Sequence, residues 1–303
     1  MIRFPAMGTT VAFQAVGVPP AAAEAAARDL VEQIEAQLSR FRPDSDISRL
    51  SRSAGAWIPV GEHTLAVLTA AIELRSATEG LFDPTAGAGP APQPRPGAAG
   101  SPGLVEVDLA AGRARVDRPV DLGAIGKGYA ADQLIELARG LGAVAGFASV
   151  GVSSVSVFGR RPAGGPWRIG LRSPGEGANV SFGTINLTEG ALATSGFDQQ
   201  GRHIRDPRTG RPAHSEVLQV TVTAATGLVA EAYSTAIAVG GVSLAARLCE
   251  PSEAGCVLVT AESVLVSANL RAAFTPGPQP PPKQDASTEE RSNGGVFGGI
   301  GSL

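Results

Sequence analysis

Cysteine is nearly absent from this chain. Cys249 and Cys256 are the two present, with neither CxxC spacing nor a nearby histidine, which argues against a zinc site; two reduced packing residues are expected, with a disulfide as the alternative. Charge is sparse as well. Charged residues make up 17% of the sequence, the formal net charge is −3 and the arginines are scattered, so no basic patch marks a nucleic-acid or anionic-membrane partner. No window reads as a membrane span, and Met1-Ile2-Arg3-Phe4-Pro5 opens without a long apolar run or a cleavage site, so a cytoplasmic location is expected. Neither GxxxxGK[ST] nor GxGxxG occurs, which sets aside the P-loop and the Rossmann fingerprint. No internal repeat is evident. Aromatic residues are only 5% of the chain, while 39 glycines and 23 prolines predict many turns and irregular connections.

What remains is enough for a substantial core: 303 residues at 43% apolar content allow one large or two modest domains. Thr10 to Val16 alternates as a strand, and Pro19 to Phe41 reads as an Ala-rich helix burying Leu30, Ile34 and Leu38. The polar connection Arg40 to Leu50 leads into a short helical turn. Thr64 to Ser76 is a second amphipathic helix with Leu65, Leu68, Ile72 and Leu74 as buried candidates. Leu81 to Gly87 is a stiff turn whose Asp83 and Thr85 could cap a neighbouring element or bind a ligand, and Pro90 to Pro102 reads as an exposed loop. Leu104–Asp108 and Arg113–Asp117 form a hairpin. Strands are predicted at 147–150, 153–158, 167–171, 181–187, 217–223, 255–260 and 263–266, and a helix at 227–239. Gly190 to Gly196 reads as a lead into a polar loop. From about residue 274 the sequence turns Pro- and Gly-rich, so a folded region over 1–273 and a disordered tail over 274–303 are expected.

The chain is organised around Val120-Asp121-Leu122-Gly123-Ala124-Ile125-Gly126-Lys127-Gly128-Tyr129-Ala130-Ala131-Asp132, an extended segment that turns into an amphipathic helix. Its glycines allow close backbone approach, and the helix start directs N–H groups and positive dipole at the turn, which suits anionic oxygens such as phosphate. Tight packing without a ligand is the plainer reading of that turn taken alone. A second constellation lies in the helix from Gly227, where Glu231 and Thr235 are spaced i and i+4 with Ser234 beside them, three hard oxygen ligands on an otherwise apolar element. The alternative there is a glutamate complementing the helix dipole and a threonine bonded to its own backbone. His203, one of three histidines, sits in the polar loop Arg202 to Pro212; a lone histidine is usually a surface or packing residue.

Met7-Gly8-Thr9, Phe41-Arg42-Pro43-Asp44-Ser45, Phe82-Asp83-Pro84-Thr85, Asp121 to Asp132, Thr194-Ser195-Gly196, His203 to Gly210 and Ala230 to Ala236 occur in an order that resembles the ApbE family of FAD:protein FMN transferases. The resemblance runs from about Met7 to Ala272. It implies a single α+β domain, a T-fold-like core of mixed or antiparallel sheet wrapped by helices. It also implies roles: Met7, Phe41, Thr85, Ala86, Gly87, Asp121, Lys127 and Arg205 in binding FAD; the Ala124 carbonyl with Glu231, Ser234 and Thr235 in holding Mg2+ or Mn2+; His203 in assisting the incoming hydroxyl. The implied partners are FAD and a target protein with an acceptor Thr or Ser, with monomer and homodimer both open. Two departures stand out. Glu231 replaces the family's aspartate, and Val150-Gly151-Val152-Ser153 replaces its Gly-Gly-Asp. They keep FAD pyrophosphate hydrolysis and catalytically impaired FAD binding as alternatives.

Overall fold

The computed structural model describes residues 1–86, 104–174, 180–196, 204–249, 254–277 and 297–299. In chain order the elements are β1 (Ile2–Ala6), β2 (Thr9–Val16), α1 (Pro20–Leu38), α2 (Asp46–Arg52), β3 (Ile58–Pro59), α3 (Glu62–Ala77), β4 (Val105–Asp108), β5 (Arg113–Val116), α4 (Gly126–Gly140), β6 (Ala145–Val150), β7 (Ser154–Phe158), β8 (Trp167–Arg172), β9 (Ser181–Leu187), β10 (Glu189–Gly196), β11 (Val217–Ala224), α5 (Gly227–Cys249), β12 (Gly255–Thr260), β13 (Val264–Ser267), β14 (Phe274–Pro276) and β15 (Phe297–Gly299). The expected Pro90–Pro102 loop lies outside the described residues. Beyond residue 273, where a tail is expected, β14 pairs with β9 and β15 with β13.

A nine-stranded sheet, ordered β1-β2-β6-β7-β10-β11-β12-β13-β15, forms the framework, and its neighbouring strands are antiparallel. Helices cover one face and the small sheet β14-β9-β8 covers part of the other. In β12, Cys256 and Leu258 join the helix-side core while Val257 and Val259 pack with Leu171, Phe182 and Ile185 of the small sheet. A strand buried on both faces reads as a continuous apolar run rather than an alternation. Cys249 and Cys256 are buried and unbridged, and the hydrogen bond with Cys249, aided by burial, holds the Cys256 thiol above its usual range. The reduced pair is therefore the form present.

α4 lies over β6 and β7, and α5 over β10 and β11. The two helices meet at their first turns through glycine: a Cβ added at Gly128 would fall on the Gly227 carbonyl, and one added at Gly227 would come within 2.7 Å of the Gly128 carbonyl. Only backbone fits there. Asp132 fastens the crossing, its Oδ1 accepting from the Gly227 N–H at 2.7 Å and its Oδ2 from the Leu228 N–H at 3.1 Å, two otherwise orphaned donors of the α5 start.

α5 runs ten residues past the predicted end at Val239, to Cys249, because the Gly240-Gly241 pair interrupts rather than ends it. Gly241 adopts φ 72°, and the Val242 N–H that starts the second half is met by Glu216 Oε1 at 2.9 Å. By length and composition this 23-residue helix is apolar enough to cross a membrane, but it is the buried helix of the sheet core. In α3, Val67, Leu68, Ala71 and Leu74 face inward whereas Ile72, expected inside, is 40% exposed.

His63 of α3 and Tyr129 of α4 form a buried joint, with Nδ1 and the phenol oxygen 2.9 Å apart. Burial holds His63 below its usual 6.5 and pushes Tyr129 from 10.0 to about 12. Both therefore fold neutral. The unfolded chain takes up the His63 proton first as pH falls below 6.5, and releases the Tyr129 proton first as pH rises past 10.0, so stability falls in both directions. Melting temperature followed against pH should show His63→Gln flattening the acid-side decline alone. Tyr129→Phe should flatten the alkaline decline and lose about 1 kcal/mol near neutrality.

Candidate active site

Three backbone turns and one helix face open onto a single cleft of about 990 Å³. The first is the β1–β2 hairpin, whose Met7 and Gly8 both have positive φ (52° and 67°), the pattern of a type I′ turn that matches strand twist. Methionine is a strained choice there, costing roughly 1–2 kcal/mol, and its N–H is held by Glu35 Oε2 at 3.0 Å. Phe41 stands on the lip at 80% exposure, with the Arg40 guanidinium 4.4 Å from its ring centre. Arg40 also pairs with Asp121 at 3.4 Å, so this lip is tied to the turn before α4.

In that turn Asp121 Oδ1 accepts the Gly123 N–H at 2.8 Å, and Lys127 Nζ reaches the Gly123 carbonyl at 3.3 Å. Glu231 comes from α5 across the glycine crossing. Its Oε2 accepts the Gly128 N–H at 2.7 Å, and its Oε1 accepts the Ser154 hydroxyl. Gly128 is the third residue of α4, whose N–H has no partner within the helix, and Glu231 supplies one. Ala124 precedes the N-cap Ile125, so its carbonyl lies ahead of the helical ladder. Burial raises Glu231 above the usual carboxylate range, opposed by Lys127 and by the two hydrogen bonds. Ser234 Oγ donates to the Glu231 carbonyl at 3.1 Å and lies 2.9 Å from Ser195 Oγ, joining the helix face to the end of β10.

Met7, Phe41, Ala86, Asp121, Ala124, Lys127, Arg205, Glu231, Ser234 and Thr235 all line this cleft. Segments more than two hundred residues apart are thus brought together. Thr85 stands aside from the lining, half-buried, with its N–H and hydroxyl both on Asp83 Oδ1 at 2.8 and 2.7 Å. Gly87 and His203 lie outside the described residues; Ile204, which follows His203 in the chain, lines the cleft. Sequence reading gave no role to Glu35, Arg172 or Gln219, which reach the cleft by tertiary placement alone and carry no local signal. Ser154 and Asp132 did have one. Each adjoins or belongs to a stretch already singled out.

A family model described as the ApbE family matches residues 7–258. Proteins named FAD:protein FMN transferase from Salmonella typhimurium and Klebsiella pneumoniae are each 30% identical to this chain, over 274 and 270 residues, covering 78% of it and 77% of each relative. The crystal structure of an ApbE protein from Thermotoga maritima is 27% identical with a TM-score of 0.78, covering 90% of this chain and 98% of that one. The flavin transferase ApbE of Vibrio cholerae has the same fold, with a TM-score of 0.78 at 24% identity over 90% of this chain and 98% of that one.

Glu231, the first departure, accepts from Ser154, whose hydroxyl lies 3.4 Å from that of Ser153, the last residue of the second departure. Glu231→Asp withdraws the carboxyl by one bond of ~1.5 Å and should leave both the Ser154 hydroxyl and the Gly128 N–H unmet. Denaturant melts of the ligand-free protein should show a loss of about 1–3 kcal/mol. With Ser154→Ala in the same chain the losses should fall short of additive by at least ~0.5 kcal/mol.

Proposed function

The chain belongs to the ApbE family, and from that premise we propose that it is an FAD:protein FMN transferase that moves FMN from FAD onto a Thr or Ser hydroxyl of a target protein. The acceptor oxygen attacks the FMN-side phosphorus, a new P–O bond forms, the bridging P–O bond breaks, and AMP departs with its electron pair. The observation that carries this reading is the convergence of the Asp121–Lys127 turn with the Glu231, Ser234 and Thr235 face in one cleft.

The residues fit a small hard cation. Their donor set is all oxygen, each Glu231 oxygen has acceptor capacity beyond its one hydrogen bond, and the Ala124 carbonyl lies ahead of the helical ladder. Glu231, Ser234, Thr235 and the Ala124 carbonyl would hold Mg2+ or Mn2+. Such an ion, when bound, draws charge from the pyrophosphate and stabilises the leaving phosphate.

The chain's own groups supply the rest. Lys127 at the start of α4 faces phosphate oxygens with a positive charge and a helix dipole behind it. Phe41, exposed on the lip, offers a face for a flavin or adenine ring, and Met7 and Arg205 close on the same ligand. His203 takes the proton of the acceptor hydroxyl, a task that suits imidazole near neutral pH.

Incubation with FAD, Mg2+ and a candidate flavoprotein should give a covalent FMN mass increment on that protein with AMP released in equal amount. AMP and free FMN without labelled protein would mark the chain as a hydrolase instead, and bound FAD with no turnover in Mg2+ or Mn2+ would mark it as a binding protein. His203→Ala should lower the rate of labelling by about 10²–10⁴-fold while FAD affinity holds. Lys127→Ala should chiefly weaken FAD affinity.

A further inference from the structure

A transferase of this kind must bring a hydroxyl of a second protein down to a phosphorus inside a cleft, and strand β8 forms one wall of that cleft through Ile169, Gly170, Leu171 and Arg172. β8 is an outer strand. The small sheet is ordered β14-β9-β8, so among the described residues β8 is paired on one side only.

The direction of its unpaired groups follows from the register. On β9, Asn186 donates its N–H to the Ala273 carbonyl at 2.9 Å, toward β14, so the adjacent odd-numbered positions turn toward β8. Ile185 stands opposite Ile169 and is therefore a hydrogen-bonded pair, which turns the N–H and C=O of Arg168 and Gly170 outward. Beyond an irregularity at Leu171 and Arg172, the Arg172 carbonyl accepts from Gln219 Nε2 at 3.0 Å. Gln219 also lines the cleft, so this end of the strand stands over it.

Gly170 fits the same picture. It is exposed, and a Cβ there would make only an ordinary contact with Ser181 Oγ at 3.6 Å, so internal packing does not require glycine. Arg168 and Arg172 flank it, and neither forms an ion pair among the described residues, which favours carboxylates on whatever lies alongside.

We propose that the acceptor protein docks here by strand addition: an extended segment carrying the Thr or Ser, with acidic residues near it, pairs with the outer edge of β8 and lies along the cleft. A paired strand sits about 4.8 Å from its neighbour and advances ~3.3 Å per residue, so it can carry one hydroxyl to the cleft floor where a rounded protein surface cannot reach. This rests on the transferase reading above and adds how the second substrate is held.

The test uses short synthetic peptides with a single central threonine and mixed acidic and neutral flanks, screened for FMN labelling with FAD and Mg2+. The best peptide is then resynthesised with one backbone N-methyl group at each position in turn. Strand addition predicts an alternating pattern, in which every second N-methyl group lowers labelling by about tenfold, the scale of one or two hydrogen bonds. Gly170→Pro, which removes an outward N–H and spares the bonds to β9, should raise the acceptor KM by about tenfold with FAD affinity within about twofold.

Uniform sensitivity or indifference to N-methylation would overturn the proposal, as would a Gly170→Pro variant that melts normally and labels peptide normally or loses FAD affinity to the same degree. Labelling of a folded acceptor protein with no peptide labelled would overturn it too, while leaving the transferase intact. Labelling of neither would remove the transferase reading itself.

Discussion

Two helices can bring their first turns into backbone contact only where both lack a side chain, and the Gly128–Gly227 crossing is the contact on which the site rests. It sets the start of α4, with the Asp121–Lys127 turn, against the start of α5, one turn before Glu231. The hydrogen bonds across the crossing are made by carboxylates rather than by backbone alone: Asp132 of α4 serves α5, and Glu231 of α5 serves α4. Each helix thus caps the other. Large apolar side chains at either glycine position would separate the axes and carry Glu231, Ser234 and Thr235 away from the turn.

That reciprocity also gives a physical account of the unusual residues. A longer acid on α5 can cross to the Gly128 N–H and to Ser154 of β7, next in the chain to Ser153, where the family pattern's carboxylate is absent. Asp132, buried at the same crossing, already adds repulsion to the desolvation of Glu231, and a further carboxylate there would add more. The two donors to Glu231 and the nearby Lys127 offset part of that cost, with burial still dominating the balance.

Much of this was readable in the residues, and the gaps have definite causes. The α4 segment, the 227 helix and most strands announce themselves through local turns and periodicity. β10 does not: Gly190-Ala191-Leu192-Ala193-Thr194-Ser195-Gly196 is short of β-branched residues, yet it sits between β7 and β11, where packing decides against propensity. Gly240-Gly241 reads as a helix end, and locally it is one; the restart depends on Glu216, distant in sequence, which no local rule sees. The cleft residues carried by motifs were legible for the same reason the α4 turn was, whereas Arg172 and Gln219 depend on how the small sheet lies against the large one. Thr85 shows the converse, a residue inside a recognisable block whose polar atoms are already engaged by Asp83.

The hairpin before α1 places a long thioether where the chain must run in mirror-image conformation. On the transferase reading, backbone comfort and ligand contact make opposite demands at that one position. Asparagine or glycine would ease the turn, but either would take away the apolar arm at the cleft mouth. Selection for thermal robustness alone would therefore drift toward a sturdier hairpin without that apolar arm, so methionine persisting in an evolved variant would report a demand made at the cleft mouth rather than by folding.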